Sequence, residues 1–423
     1  MGNGGYDARH YTIDLSVDMK KNSISGSTSM DAIATKSLSA FNLDFHGLEI
    51  GDITVNNIPA KYTRKGDELT IVSTAPLPTG KDFIVVVNYG GTPDPLNDPS
   101  SPGDPTGWIK GRSGIFVISE PSGSMNWYPV NNSPQDKATY IFRITVAKPY
   151  VVAANGLLAS QVDNGDTQTF TWQCSHPMAS YLASIDIGKY MLVAETGPNG
   201  LPIHDYFPQG TALDSIANFD RTSQMLSFFS DTYGPYPFES YGAIVVPEDL
   251  GTAMENQTLS LFGMDMTDEI SIVHELSHQW FGDSVSVKTW NDIWLNEGFA
   301  TYSEALWVEH SQGETAFHKY MRDLYGDITD QMMASPENPT VSDLFGDSVY
   351  ERGAWVLEAL RLQVGDDTFF KILRTYYDRY KYGNATTDDF IAVAKEVSGQ
   401  DLKRVFDDWL YSNRVPAMPK LGP

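Results

Sequence analysis

A chain of 423 residues is too long for one ordinary hydrophobic core, so two or three domains are expected. Its 41% apolar and 20% charged residues suit a soluble globular protein, and a net charge of −25 repels phosphate backbones, which argues against nucleic-acid binding. The single cysteine, Cys174, excludes an intrachain disulfide and a thiolate zinc cluster, and no run reaches the roughly 20 apolar residues that span a bilayer.

The start, MGNGGYDARHY, lacks the basic-then-apolar pattern of a secretion leader, so a soluble chain, cytoplasmic or secreted, is expected. From there the chain reads as β-structure. Tyr11, Ile13, Leu15 and Val17 alternate with polar neighbours, the period of a half-buried strand. The segments DELTIVS, DFIVVVNY, ATYIFRITVA and QTFTWQC repeat the theme between Gly, Asn, Asp and Pro turns. Cys174, at the end of the last of these, is expected as a packed core thiol. The Pro/Gly-rich stretch 90–108 reads as a surface excursion, with a loop bordering a cleft as the alternative.

After about residue 195 the period changes, which divides the chain into a β-rich unit, 1–194, and an α-rich unit, 195–423. DSIANFDRTSQMLSFFSDTYG predicts one amphipathic helix ending at Gly234, and YGAIVVPE a short buried strand. DEISIVHELSHQWFG predicts a helix with Thr267 as N-cap, Asp268 and Glu269 at its positive end, and Gly282 as its stop. Its apolar face is expected on Ile270, Val273 and Leu276. From 292 to 412 nearly everything reads as helix, with turns at Gly346, Gly365, Gly383 and Gly399.

Within this pattern, His274 and His278 are four apart and share one helix face. Two imidazole nitrogens at that spacing suit zinc, and Glu275 between them is near enough to serve as a base. Glu297 follows His278 after 18 intervening residues, room for a connection and the start of a second helix, and can supply the third ligand. Two histidines and one glutamate leave a coordination position open, as a catalytic zinc requires. Glu304, two turns later, is either a histidine's partner or an ordinary surface glutamate.

HELSH, 18 residues and NEGFA resemble the gluzincin aminopeptidases of family M1, the group of aminopeptidase N and leukotriene hydrolase. The resemblance runs from GYDARHYTIDL to DDWLYSNRVP. TAMEN, residues 252–256, resembles the family's exopeptidase motif, VYERGAWVL the segment with its catalytic tyrosine, and SEPSGSMNWYPVNNSPQDKATY a stretch that sends an acidic or amide side chain to the active site. The resemblance implies an α+β protein: an all-β saddle domain, then a thermolysin-like, mostly α catalytic domain, in a short form without a further helical domain. It implies one Zn²⁺ per chain held by His274, His278 and Glu297, with Glu275 and Tyr350 as catalytic residues. Glu120, Thr252, Ala253, Met254, Glu255 and Asn256 are implied to bind substrate, Glu120 and Glu255 by holding the free α-ammonium of a peptide. Thr252 departs from the motif, which has glycine there; a left-handed backbone at that position would strain a threonine.

The expected function is therefore a zinc-dependent aminopeptidase acting on peptides with a free N-terminus. An endopeptidase with the same zinc site, or a zinc-binding module without activity, are the alternatives. Two acids near the metal argue against the first, and retention of Glu275 and Tyr350 against the second.

Overall fold

The structure, a computed structural model, describes residues 2–421. An eight-stranded sheet runs in the spatial order Leu157–Asp163, Thr167–Met178, Ala138–Ala147, Tyr6–Asp18, Ser23–Ala34, Asp82–Gly91, Glu49–Val55, Ile58–Pro59. All its pairs are antiparallel except Tyr6–Asp18 with Ala138–Ala147. The alternation in Tyr6–Asp18 places Tyr11, Ile13, Leu15 and Val17 in the core, against Tyr140, Phe142, Ile144 and Val146 of the paired strand. Cys174 is buried in this core. A three-stranded sheet and a five-stranded sheet complete the β-rich part, and Trp108 and Trp127 fill the space between elements.

A second five-stranded sheet, in the order Tyr190–Thr196, Pro202–Pro208, Ala243–Val246, Ser260–Gly263, Ala253–Met254, introduces the helical part. Its inner strand Ala243–Val246 is wholly buried, as its apolar run requires. Ala253–Met254 is an edge strand, so one row of its backbone groups is unpaired within the sheet.

The helices follow as α1 (Leu213–Ala217), α2 (Thr222–Tyr233), α3 (Glu269–Ser277), α4 (Trp294–Gln312), α5 (Glu314–Asp330), α6 (Gly353–Val364), α7 (Asp366–Tyr380), α8 (Thr387–Ser398) and α9 (Lys403–Phe406). The single helix expected before Gly234 is two. The chain turns at Asn218–Arg221 because Phe219 leaves the helix line to pack edge-on against Phe207 and Phe262, each at 5.4 Å. Helix ends at Gly365 and Gly399 hold, with left-handed φ of 81° and 64°. Gly383 instead begins a strand, Gly383–Ala385, parallel to Val285–Val287.

The parts of the chain are tied by buried polar contacts. Lys137 donates from Nζ to the carbonyls of Asp283 (2.8 Å) and Ser284 (3.0 Å). Asn155 donates to the Gln257 carbonyl at 2.7 Å. These bonds reach the two segments that flank α3, and the site described below lies there.

Candidate active site

Helix α3 starts at Asp268, whose carboxylate accepts from the N–H groups of Ile270 (3.0 Å) and Ser271 (3.2 Å). Asp268 rather than Thr267 is thus the N-cap; Thr267 bonds back to the Met264 carbonyl instead. Regular helix stops at Ser277, short of Gly282, and the chain continues in tight turns as Gln279 and Trp280 donate to Leu276 and Ser277. His278 still donates its N–H to the His274 carbonyl at 3.3 Å, which keeps the two histidines one turn apart. Ile272, Val273 and Leu276 form the buried face. Ile270, expected there, lies four residues before His274 on the histidine face and lines the cavity.

Glu297 sits in the first turn of α4. The next residue, Gly298, crosses Gly353 so closely that a Cβ on Gly298 would lie 2.8 Å from the Gly353 backbone. That crossing sets the start of α6 beside Glu297. The turn before it, Ser348–Arg352, is π-helical and carries Tyr350. Arg352, fully buried, anchors the turn by donating to carbonyls of Trp409 (3.0 Å), Met333 (3.1 Å) and Ala334 (3.0 Å). Tyr350 lies with its ring against His274, centroids 5.9 Å apart.

The side chains expected to bind metal come together. Nε2 of His274 and of His278 lie 3.3 and 3.4 Å from one Glu297 oxygen. Each histidine turns its Nδ1 away, donating to Glu304 (2.5 Å) and to the Phe281 carbonyl (3.1 Å), so both Nε2 atoms converge with the carboxylate. The three ligand atoms lie within 4.8 Å of one another. Two imidazoles and one carboxylate, buried and oriented from behind, fit a zinc ion with a position left open. Glu304 is therefore a histidine partner, and Tyr320 of α5 donates to its second oxygen.

Four carboxyls crowd this point. Glu120, Glu255 and Glu297 form one group of oxygens within 4.8 Å, and Glu255, Glu275 and His278 another. One oxygen each of Glu120 and Glu255 is buried with no hydrogen-bond partner among the described residues. Burial pushes the Glu120 carboxyl well up, and the neighbouring Glu255, Glu297 and Glu275 push it further. Burial also raises Glu255, with His278 opposing and Glu297 adding to the shift. Glu275 is pushed up to about 8 by burial, against the pull of His274 and His278. Glu297 is the exception: burial raises it, but His278 and His274 outweigh that and hold it at about 2. Burial and the surrounding carboxylates keep Tyr350 well above its ordinary value, hence as a neutral hydroxyl at pH 7.

These groups line one cavity of about 660 Å³, which also takes in Thr252, Ala253 and Met254. Asn256 is fully buried and is not part of its wall. The left-handed residue is Gly251, φ 64°, immediately before the motif, so the strain expected at Thr252 does not arise. The 90–108 stretch borders the cleft: Ser100, Asp104 and Thr106 line the cavity. Asp98 holds that loop by accepting from Ser100 at 2.7 Å and from Ser122, two residues beyond Glu120.

Sequence reasoning missed Tyr320, Gln279 and Asp98. Gln279 donates to the Glu255 carbonyl at 3.1 Å and accepts from the Thr258 N–H at 2.8 Å, joining α3 to the segment that carries Glu255. None of the three stands at a spacing that marks it; only the adjacency of Gln279 to His278 was available as a signal.

Comparison with known proteins agrees with this geometry. The family model for the peptidase M1 N-terminal domain matches residues 7–182, and that for the peptidase family M1 domain matches 217–409. Aminopeptidase N of Streptomyces lividans is 32% identical over 308 residues, 66% of this chain and 35% of that protein. Human glutamyl aminopeptidase is 30% identical over 339 residues, 73% of this chain and 35% of its own length. The chain thus spans about a third of the length of the curated relatives it matches. The M1 zinc metallopeptidase of Deinococcus radiodurans superposes with a TM-score of 0.93 at 29% identity, over 99% of this chain and 97% of that one. A variant of that enzyme bound to the peptide Tyr-Ser-Ala gives a TM-score of 0.92 at 29% identity, over 100% and 98%. With both family models matched in order, and the converging His274, His278 and Glu297 all inside the second of them, the chain belongs to peptidase family M1.

Proposed function

We propose that this protein is a zinc-dependent aminopeptidase that removes single residues from peptides with a free N-terminus, with the all-β unit (1–194) and the helical unit (195–423) as its two domains. The observation that carries the reading is the pair of buried, unpartnered oxygens on Glu120 and Glu255 beside the metal triplet. Buried carboxyls without a partner are driven toward their neutral form unless a cation joins them, and an α-ammonium supplies both the charge and three donors.

In this reading His274, His278 and Glu297 hold the zinc ion, Glu304 orienting the first of them. When bound, the ion supplies a Lewis acid that polarises a carbonyl and acidifies water. Glu120 and Glu255 clamp the α-ammonium and so place the first peptide bond, and no other, over the triplet. The edge strand Ala253–Met254 offers its free backbone groups to the extended peptide. Glu275, between the two histidines, takes a proton from water and hands it to the leaving amine. Tyr350, still protonated, donates to the developing oxyanion. An endopeptidase would place a neutral peptide against Glu120 and Glu255 and leave both unpaired.

The test is hydrolysis of aminoacyl reporters beside their N-acetylated counterparts, with and without chelator. Turnover of the free amines alone, abolished by chelator and restored by zinc, is expected. Equal turnover of the acetylated reporters, or turnover indifferent to chelator, refutes the reading.

A further inference from the structure

Seven carboxylate side chains line the catalytic cavity, and no lysine or arginine does so among the described residues. Five of the seven belong to the metal and amine sites above. The other two, Asp104 and Asp347, do not. Both are exposed, one comes from the β-rich part and one from the helical part, and neither makes an ion pair among the described residues. Asp104 rides on the loop that Asp98 pins to Ser122. Asp347 immediately precedes the π-helical turn of Tyr350, and with Asp327 and Glu304 it acts electrostatically on Glu351, so the acidic wall continues beyond the cavity. Deeper in the same cavity Glu255, 3% exposed, has the unpartnered oxygen assigned above to the α-ammonium, so a bound peptide enters with its cationic end inward and its side chains among the remaining acids.

We propose that Asp104 and Asp347 are specificity-determining residues that favour peptides with lysine or arginine among their first three residues and disfavour those with glutamate or aspartate there. The inference rests on the aminopeptidase reading. Once the α-ammonium is seated on Glu120 and Glu255, the side chains of the bound peptide face a wall of one sign, with no basic group to accept an acidic side chain. A field of this kind acts on capture more than on the bond being broken, so the preference belongs mainly in KM.

The experiment uses the zinc-loaded protein and tripeptides built on alanine, with lysine or glutamate placed in turn at the first, second and third positions. An exposed charge pair carries up to about fivefold, so reversing the sign of the side-chain charge is expected to change kcat/KM about tenfold in favour of lysine at one position or more. Raising the salt from about 0.01 M to about 1 M shortens the screening length from roughly 30 Å to roughly 3 Å and should collapse the ratio. Asp104→Asn with Asp347→Asn should lower the ratio at low salt. Equal rates for lysine and glutamate peptides, a preference for glutamate, or a lysine preference that the double substitution does not reduce or that salt does not reduce, overturns the inference while leaving the aminopeptidase reading intact. Failure to hydrolyse any free tripeptide, the all-alanine one included, overturns that reading and this inference with it.

Discussion

Glu255→Gln isolates the feature proposed above to make the site an exopeptidase. The residue is almost completely buried, its unpartnered oxygen lies within the carboxylate and histidine groups at the metal triplet, and its backbone carbonyl is held by Gln279. Glutamine keeps the shape, the backbone bond and one carbonyl oxygen, and replaces the other, charged oxygen by a neutral NH2. A hydrogen bond to a charged group contributes about 1.5–3 kcal/mol, so at about 1.4 kcal/mol per decade kcat/KM for free-amine substrates should fall roughly 10- to 100-fold. Glu120→Gln should act in the same direction, and the double variant should fall short of the product of the two, because both carboxyls serve one ammonium. The assay is kcat/KM for aminoacyl and N-acetylated aminoacyl reporters, with zinc content measured on the same samples. Zinc should be retained, and discrimination against the acetylated reporter should shrink as the unpaired carboxylate disappears. Unchanged preference for the free amine in Glu255→Gln would remove Glu255 as the anchor, and loss of zinc alongside activity would mark it as part of the metal's support instead.

His274→Ala, His278→Ala and Glu297→Ala should each lose zinc and turnover together, whereas Glu275→Gln should keep zinc and lose most of kcat; metal analysis beside initial rates separates the two classes. Tyr320→Phe removes the donor behind Glu304 and is expected to weaken zinc retention about 10- to 100-fold in chelator competition, with Glu304→Gln at least as severe; unchanged retention would reduce Tyr320 to packing. Asp186, fully buried, accepts from Val117 N–H and the Ser184 hydroxyl, and burial pushes its carboxyl up to about 7. A raised carboxyl stabilises fully below its ordinary value and loses that contribution as pH climbs through about 7. The stability of Asp186→Asn relative to wild type should therefore increase by about 2 kcal/mol between pH 5 and pH 8 in denaturant titrations, and a pH-independent difference would contradict the buried charge. Gly298→Ala inserts a methyl into the crossing with Gly353 and should cost about 1–3 kcal/mol of stability while lowering kcat, since Glu297 and Tyr350 flank that contact; an unshifted melting curve would show that the crossing yields.

Features encoded in local spacing could be read from the chain alone. The alternation of Tyr11, Ile13, Leu15 and Val17 has the period of a strand. The four-residue step from His274 to His278 has the period of a helix, so the strand, the metal helix and the facing of the two histidines were all legible. Glu297 was legible because one connection and one further helix fit the interval. Where local spacing was ambiguous, the reading slipped by a few residues: Asp268 displaced Thr267 as cap, and Ile270 fell on the histidine face because it lies four residues before His274. Contacts between segments far apart in the chain emerge only in the folded molecule. Phe219 breaks a helix to reach Phe207 and Phe262, Gly298 meets Gly353, and the 90–108 loop, held by Asp98 to Ser122, borders the cleft. Tyr320 reaches His274 through Glu304, thirty residues along from it. Such pairings leave no period in the sequence, because packing selects them by shape and unsatisfied hydrogen bonds once the elements have met. The same reason explains why Glu120 and Glu255 read as two isolated acids in the chain and as one buried pair in the fold.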